Sequence, residues 1–301
     1  MKILQNKFFR ASLLIITVVF VVLFCISNIR KISEYDFHIR YVFIVLSLLS
    51  ASLGTIFNGA IWYQISRNFG IASNYISCMK IWLTSRLGRY VPGKLPFLLL
   101  RISMSKGVSA KIVTQATITE YFISIGSAVL VALLATIFIP YLPYMPFVWI
   151  LGSLFLLVLF FKSCWINAIL NLALRQFGKP SLDYVPKRGF ILKLSLQGIL
   201  PVMFHGLSLF LLFYSLEPLP ISLLPAITGV YYSASLLGLL AFFAPGGIGV
   251  REGLMMVVLS QFLSVPTVIV ASMSIRIVTV VSELVLISSF NGFYSLINRK
   301  T

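Results

Sequence analysis

The chain has 301 residues, of which 59% are hydrophobic and only 10% charged, and its mean hydropathy is +1.01. A soluble domain of this size needs roughly a quarter of its residues charged, so a water-facing surface is excluded and the outer face must meet lipid. The formal net charge of +17 would suggest nucleic acid in a soluble protein; here membrane topology accounts for it, and no nucleic-acid partner is expected.

Lys2, Lys7 and Arg10 precede the apolar run 11–24, as in the opening of a signal peptide. No small-residue cleavage site follows, and further apolar runs do, which predicts an uncleaved first helix. A helix crosses the bilayer with about 20 apolar residues. Segments of that kind are 11–29, 41–63, 114–139, 147–161, 190–216 and 267–297. Two more regions are apolar but broken. Residues 71–103 contain Arg86, Arg89, Pro92, Gly93, Lys94 and Pro96, and residues 221–263 are interrupted at Ala244-Pro245-Gly246-Gly247-Ile248-Gly249.

Positive charge sets the orientation. With the N-terminus in the cytoplasm, 19 of the 24 Lys and Arg residues fall inside and three (Arg30, Lys31 and Arg40) outside. The remaining two, Arg251 and Arg276, lie at membrane depth. Both termini are then cytoplasmic, and the inner face is polybasic enough to attract anionic lipid headgroups. The first broken region enters from the cytoplasm as a hairpin and the second from outside. Span, broken hairpin, span, repeated with opposite polarity, is the plan of inverted-repeat transporters, with halves 41–139 and 190–297 inside a single membrane domain, 1–301. The expected fold is all-α: a polytopic bundle of six full spans plus two re-entrant or broken helical hairpins. The simpler alternative makes each break a loop between two full spans, and 221–243 is long enough for that.

Glu120, Arg251, Glu252, Arg276 and Glu283 sit where lipid should forbid charge. Each costs about 2.5–3.5 kcal/mol at a helix centre, so they must face a cavity or one another. Arg276 and Glu283 are seven residues apart and share a helix face. After each Pro-Gly break a helix restarts, near Leu95 and near Val250, with free N–H groups and a positive dipole end. Lys94, Arg101, Arg251 and Arg276, with the backbone of Gly246, Gly247 and Gly249, could there hold an anion such as phosphate. A carboxylate or inorganic anion would suit the same groups, and interhelical ion pairing alone would also explain the charges.

Enzymatic chemistry finds little support. His38 and His205 are the only histidines; His38 lies in an outside loop, and His205 lies on an apolar helix without an acidic residue four or five positions on. There is no paired-Asp metal site, no phosphate-binding Gly-x-x-x-x-Gly-Lys-Ser/Thr loop, and Gly247-Ile248-Gly249 lacks the third glycine of a dinucleotide turn. Gly249 and Gly253 instead suit close helix contact. Cys25, Cys78 and Cys164 are dispersed without metal-ligand spacing and read as apolar packing. No cofactor or metal is expected.

The stretch Tyr90-Val91-Pro92-Gly93-Lys94-Leu95, continuing to Arg101 and Lys106-Gly107-Val108-Ser109, resembles the first signature of the flippase-like family, also called the lysylphosphatidylglycerol synthase transmembrane region. Residues Ala244-Pro245-Gly246-Gly247-Ile248-Gly249-Val250-Arg251-Glu252-Gly253 resemble the second, and Glu120 and Arg276 stand where the family usually carries Glu and Arg. Pro96 replaces a usual glycine, Tyr121 stands where a basic residue is common, and Ser124 where Asp is. The resemblance implies movement of a lipid between leaflets, either an aminoacyl-phospholipid or a polyprenyl-linked glycan. Arg251 and Arg276 would then be counter-ions for a phosphate head, and Glu252, Glu283 and Glu120 would tune them or carry protons. In two-domain members synthesis belongs to a soluble C-terminal domain. This chain ends at Thr301, shortly after its last apolar run, so the expectation is a non-enzymatic protein of the cell membrane. Its partners would be membrane lipids and envelope-synthesis enzymes. A secondary carrier of a small anionic solute and a non-transporting accessory protein of cell-envelope polymer synthesis are the competing expectations.

Overall fold

A computed structural model describes residues 35–71, 74–90, 96–138, 152–154, 171, 186–240, 247 and 249–298. Among these the regular structure is helical, with no strand. The run 11–29, all of 147–161 but residues 152–154, and the breaks at Pro92-Gly93-Lys94 and Pro245-Gly246 lie outside the described residues, as do Cys25 and Cys164.

In chain order the helices are α1 (Tyr41–Asn68), α2 (Tyr75–Arg86, continued by a 3-10 turn Leu87–Tyr90), α3 (Pro96–Met104) and α4 (Ala110–Ala135). Then come α5 (Arg188–Gln197), α6 (Ile199–Leu216), α7 (Leu224–Leu240), α8 (Val250–Leu259) and α9 (Val265–Asn298). Local chemistry sets several ends. The Asn74 side chain caps α2 by accepting from the Ile76 N–H at 2.9 Å, and Ser109 caps α4 by accepting from Ile112 at 3.3 Å. Between α5 and α6 the helix breaks at Gly198. Pro201 has no N–H to return to the Gln197 carbonyl, and Ser127 of α4 donates to the Ser195 carbonyl at 2.7 Å.

Five segments are long and apolar enough to cross a membrane: Tyr41–Asn68, Ala110–Phe138, Arg188–Leu216, Ile221–Leu239 and Val265–Phe290. Four coincide with expected spans. The fifth is the first limb of the second broken region. The remaining limbs are shorter: α2 has 12 residues, α3 has 9 and α8 has 10. At about 1.5 Å per residue they reach about 14–18 Å, half of the roughly 30 Å hydrocarbon core. None of the three can cross alone.

The centre is the contact of α1 with α6. Ser47 donates to the Ser208 carbonyl at 2.7 Å, Ser50 donates to the Phe204 carbonyl at 2.7 Å, and Gly54 leaves room for the His205 ring. Small residues let the two backbones approach, which is how helices associate without a hydrophobic drive between them. α9 packs on both α1 and α6, α2 packs on α9, and α7 packs on α4. Two apolar clusters fill the interior, one around Leu209, Phe213, Ile227, Met255 and Val268, the other around Trp62, Met79, Trp82 and Ile123 with Cys78 among them. Val42, Val257 and Ile277 stay more than 60% exposed, as lipid-facing residues should.

At Gly88 the 3-10 turn meets the start of α3 backbone to backbone. A Cβ there would lie 2.5 Å from the Phe97 N and Cα. Since backbone cannot yield as a side-chain tip can, Gly88→Ala should cost about 1–3 kcal/mol, read as a lower thermal unfolding midpoint in detergent.

Candidate functional site

Three clusters of buried charge hold the broken hairpins to the long helices. In the first, Arg101 of α3 meets Glu120 of α4 at 2.5 Å. Arg101 is 1% exposed; it also donates to Ser85 and Thr117, each at 3.2 Å, and its guanidinium lies 4.0 Å from the centre of the Trp62 ring. The other Glu120 oxygen accepts from Trp82 Nε1 at 2.6 Å. Expected beside a substrate anion, Arg101 is instead committed to protein groups on every side.

In the second cluster Glu283 of α9 is 1% exposed. Its Oε1 accepts from Arg86 Nε at 3.1 Å, Arg86 Nη2 at 2.8 Å and Arg89 Nη2 at 2.5 Å. Although Arg276 and Glu283 share a helix, each turns to a different hairpin.

The third cluster is at the second break. Gly247 and Gly249 have φ of +68° and +86°, a left-handed conformation that side chains disfavour. Gly247 also lies against the backbone of Gly238 on α7, where a Cβ would come within 2.8 Å of the Gly238 Cα. α8 then begins. Its Glu252 divides its carboxylate, Oε2 accepting from the Gly249 N–H at 2.8 Å and Oε1 from Arg276 Nε at 2.6 Å. The start of α8 is thus capped by the protein's own carboxylate.

Arg251 has no carboxylate partner among the described residues. Its side chain lies over Gly238, its Nε is buried without a hydrogen bond, and Arg276 Nη2 is buried without one too. Arg251 lies in the fields of Arg276, Arg89, Glu252 and Tyr231, and Tyr232 in those of Arg251 and Arg86. Across the clusters five arginines (86, 89, 101, 251 and 276) face three glutamates (120, 252 and 283), leaving two positive charges over.

Of the expected site residues, the structure brings together Arg251, Glu252, Arg276, Gly247 and Gly249. Glu120 and Arg101 form a separate pair, and Glu283 joins α2. Lys94 and Gly246 lie outside the described residues. His205 packs in the α1–α6 contact with Nδ1 2.7 Å from the Pro201 carbonyl. Arg86, Arg89 and Trp82 were not singled out from sequence, because charge counting treats such arginines as part of an inner loop. Their i, i+3 spacing just before the Pro-Gly break is the signal that marks them as one face. A cavity lined by Asn68, Phe69, Ile112 and Gln115 lies where α1 ends and α4 begins and involves none of these charges.

The chain is a multi-pass membrane protein by its five apolar helices. No curated protein matches it. Residues 10–286 match the model of the lysylphosphatidylglycerol synthase TM region, nearly the whole chain, and the protein belongs to that family.

Proposed function

We propose that this protein carries a phosphate-headed lipid, either an aminoacyl-phospholipid or a polyprenyl-linked glycan, between the leaflets of the cell membrane, and that it has no enzymatic step of its own. The observation that carries the reading is the excess of positive charge at the second break: among the described residues Arg251 has no carboxylate partner and Arg276 has one buried N–H unengaged. A guanidinium N–H buried without a hydrogen bond is costly, and charge kept at membrane depth marks a path for a charged group.

The packing supports an inverted repeat with halves 41–139 and 190–297. In each half an ion pair ties the second limb of the broken hairpin to the long helix that follows, Arg101 to Glu120 and Glu252 to Arg276, with the charges in reverse order. The first limbs cross over: α2 lies on α9 of the other half and α7 on α4. Such a plan places a substrate site at the junction of two broken elements, with cytoplasmic termini and membrane lipids as partners.

Purified protein in liposomes with a fluorescent phosphatidylglycerol and, separately, a fluorescent phosphatidylcholine should equilibrate the anionic lipid across the bilayer faster than protein-free controls. Arg251→Gln should slow this about 10- to 100-fold, the range for one charge-assisted hydrogen bond worth about 1.5–3 kcal/mol. This variant is the clean one, because removing Arg251 strands no carboxylate, whereas Arg276→Gln strands Glu252. A wild-type rate equal to that of empty liposomes, or an Arg251→Gln rate equal to wild type, would overturn the reading. Uptake of soluble phosphate without lipid movement would favour an anionic-solute carrier.

A further inference from the structure

Resting on the reading above, we infer that Glu252 is a built-in stand-in for the substrate's phosphate, and that the incoming anion must displace it. The geometry is specific. A guanidinium offers Nε–H and Nη2–H along one edge, the fork that a carboxylate normally fills with both oxygens. Arg86 shows this edge fully used, both nitrogens donating to Glu283. On Arg276 only Nε is used; Nη2 on the same edge is buried with no partner.

Glu252 is at the same time held back by the Gly249 N–H, 2.8 Å from its other oxygen. Three donors (Arg276 Nε, Arg276 Nη2 and Gly249 N) thus face a group that satisfies two of them. A phosphate is tetrahedral, and its free oxygens, not tethered to α8 by a side chain, can take both donors of the arginine edge and the backbone N–H at once. Arg251, next in sequence and with no carboxylate partner among the described residues, adds a second positive charge beside the bound anion. Glu252 holds Arg276 while the site is empty and yields to an anion that can engage the whole arginine edge. The shared chemistry is a phosphate oxyanion, carried on a lipid or free in solution.

The test is binding to the full chain in detergent, titrated with a short-chain phosphatidylglycerol in one arm and inorganic phosphate in the other. Removing the competitor while keeping an acceptor for the Gly249 N–H, as Glu252→Gln does, should tighten binding roughly tenfold, the effect of one charge-assisted bond no longer broken on entry. The gain should vanish when Glu252→Gln is combined with Arg276→Gln, since the contested donors belong to Arg276. Tightening in the phosphatidylglycerol arm alone identifies a lipid headgroup, and in both arms a general phosphate site; either supports displacement.

Unchanged or weaker binding by Glu252→Gln would mean that Glu252 only positions Arg276 and caps α8, and the inference falls while the carrier reading stands. A gain that persists without Arg276 would reduce it to a general charge effect and also overturns it. Failure of the wild type to bind either probe removes both readings. Should Glu252→Gln fold poorly, Glu252→Asp serves instead. It is one methylene too short to hold Gly249 and Arg276 together and should shift binding in the same direction.

Discussion

Replacing Glu283 with alanine should lower the stability of the detergent-solubilised protein by about 3–5 kcal/mol, the usual cost of stranding a buried charge. The carboxylate is 1% exposed and a single oxygen gathers three N–H groups from two arginines. Without it Arg86 and Arg89 face one another with no anion between them, and the contact of α2 with α9 loses its polar anchor. Glu283→Gln keeps an acceptor and should fall between wild type and alanine. Arg89→Gln should cost far less, because its side chain is 35% exposed and Arg86 retains the fork. A thermal melt followed by tryptophan fluorescence, with Trp82 in the adjoining cluster, reads all three.

The Arg101 and Glu120 pair should behave differently when the partners are removed together. Either single replacement, Arg101→Met or Glu120→Gln, leaves a charge inside a cage of Trp62, Trp82, Ser85 and Thr117 and should cost about 3–5 kcal/mol. The double replacement removes both charges and puts an apolar chain of similar length against the Trp62 face, so most of the loss should return. That coupling, read as a double-mutant cycle on the melting curves, tests whether the pair acts as a structural clamp. Independent, additive losses would show that Arg101 is instead held for something outside the cage.

The contrast between these arginines and Arg251 explains how far the sequence could be read. The long helices were legible because apolar runs of spanning length admit few other fates. They differ at the edges only where caps such as Ser109 extend α4 beyond its apolar run. The cost of charge in lipid likewise marked Glu120, Arg251, Glu252, Arg276 and Glu283 as a set. Their pairing was not legible. Arg86 and Glu283 are 197 residues apart, and only the packing of α2 on α9 makes them neighbours. Arg101 was expected to serve an anion because it follows a helix start, yet the fold turns it toward Glu120 and the Trp62 ring. Periodicity fixes which face a residue occupies. It does not say what comes to that face.

The close helix contacts, of which the glycine and serine seam between α1 and α6 is one, have a consequence for how this sequence can drift. A methyl group at Gly54 would strike the His205 ring, and one at Gly206 the Thr228 side chain, one at Gly229 Ala135, one at Gly198 Ser127. Volume, rather than oiliness, is what the interior polices. Val42, Val257 and Ile277 are exposed, and at such positions any apolar residue suits a lipid-facing surface. In a soluble protein the greasiest positions are the ones that change least. Here the outer apolar positions have the least to lose by exchange, and the small residues inside set how closely the helices approach.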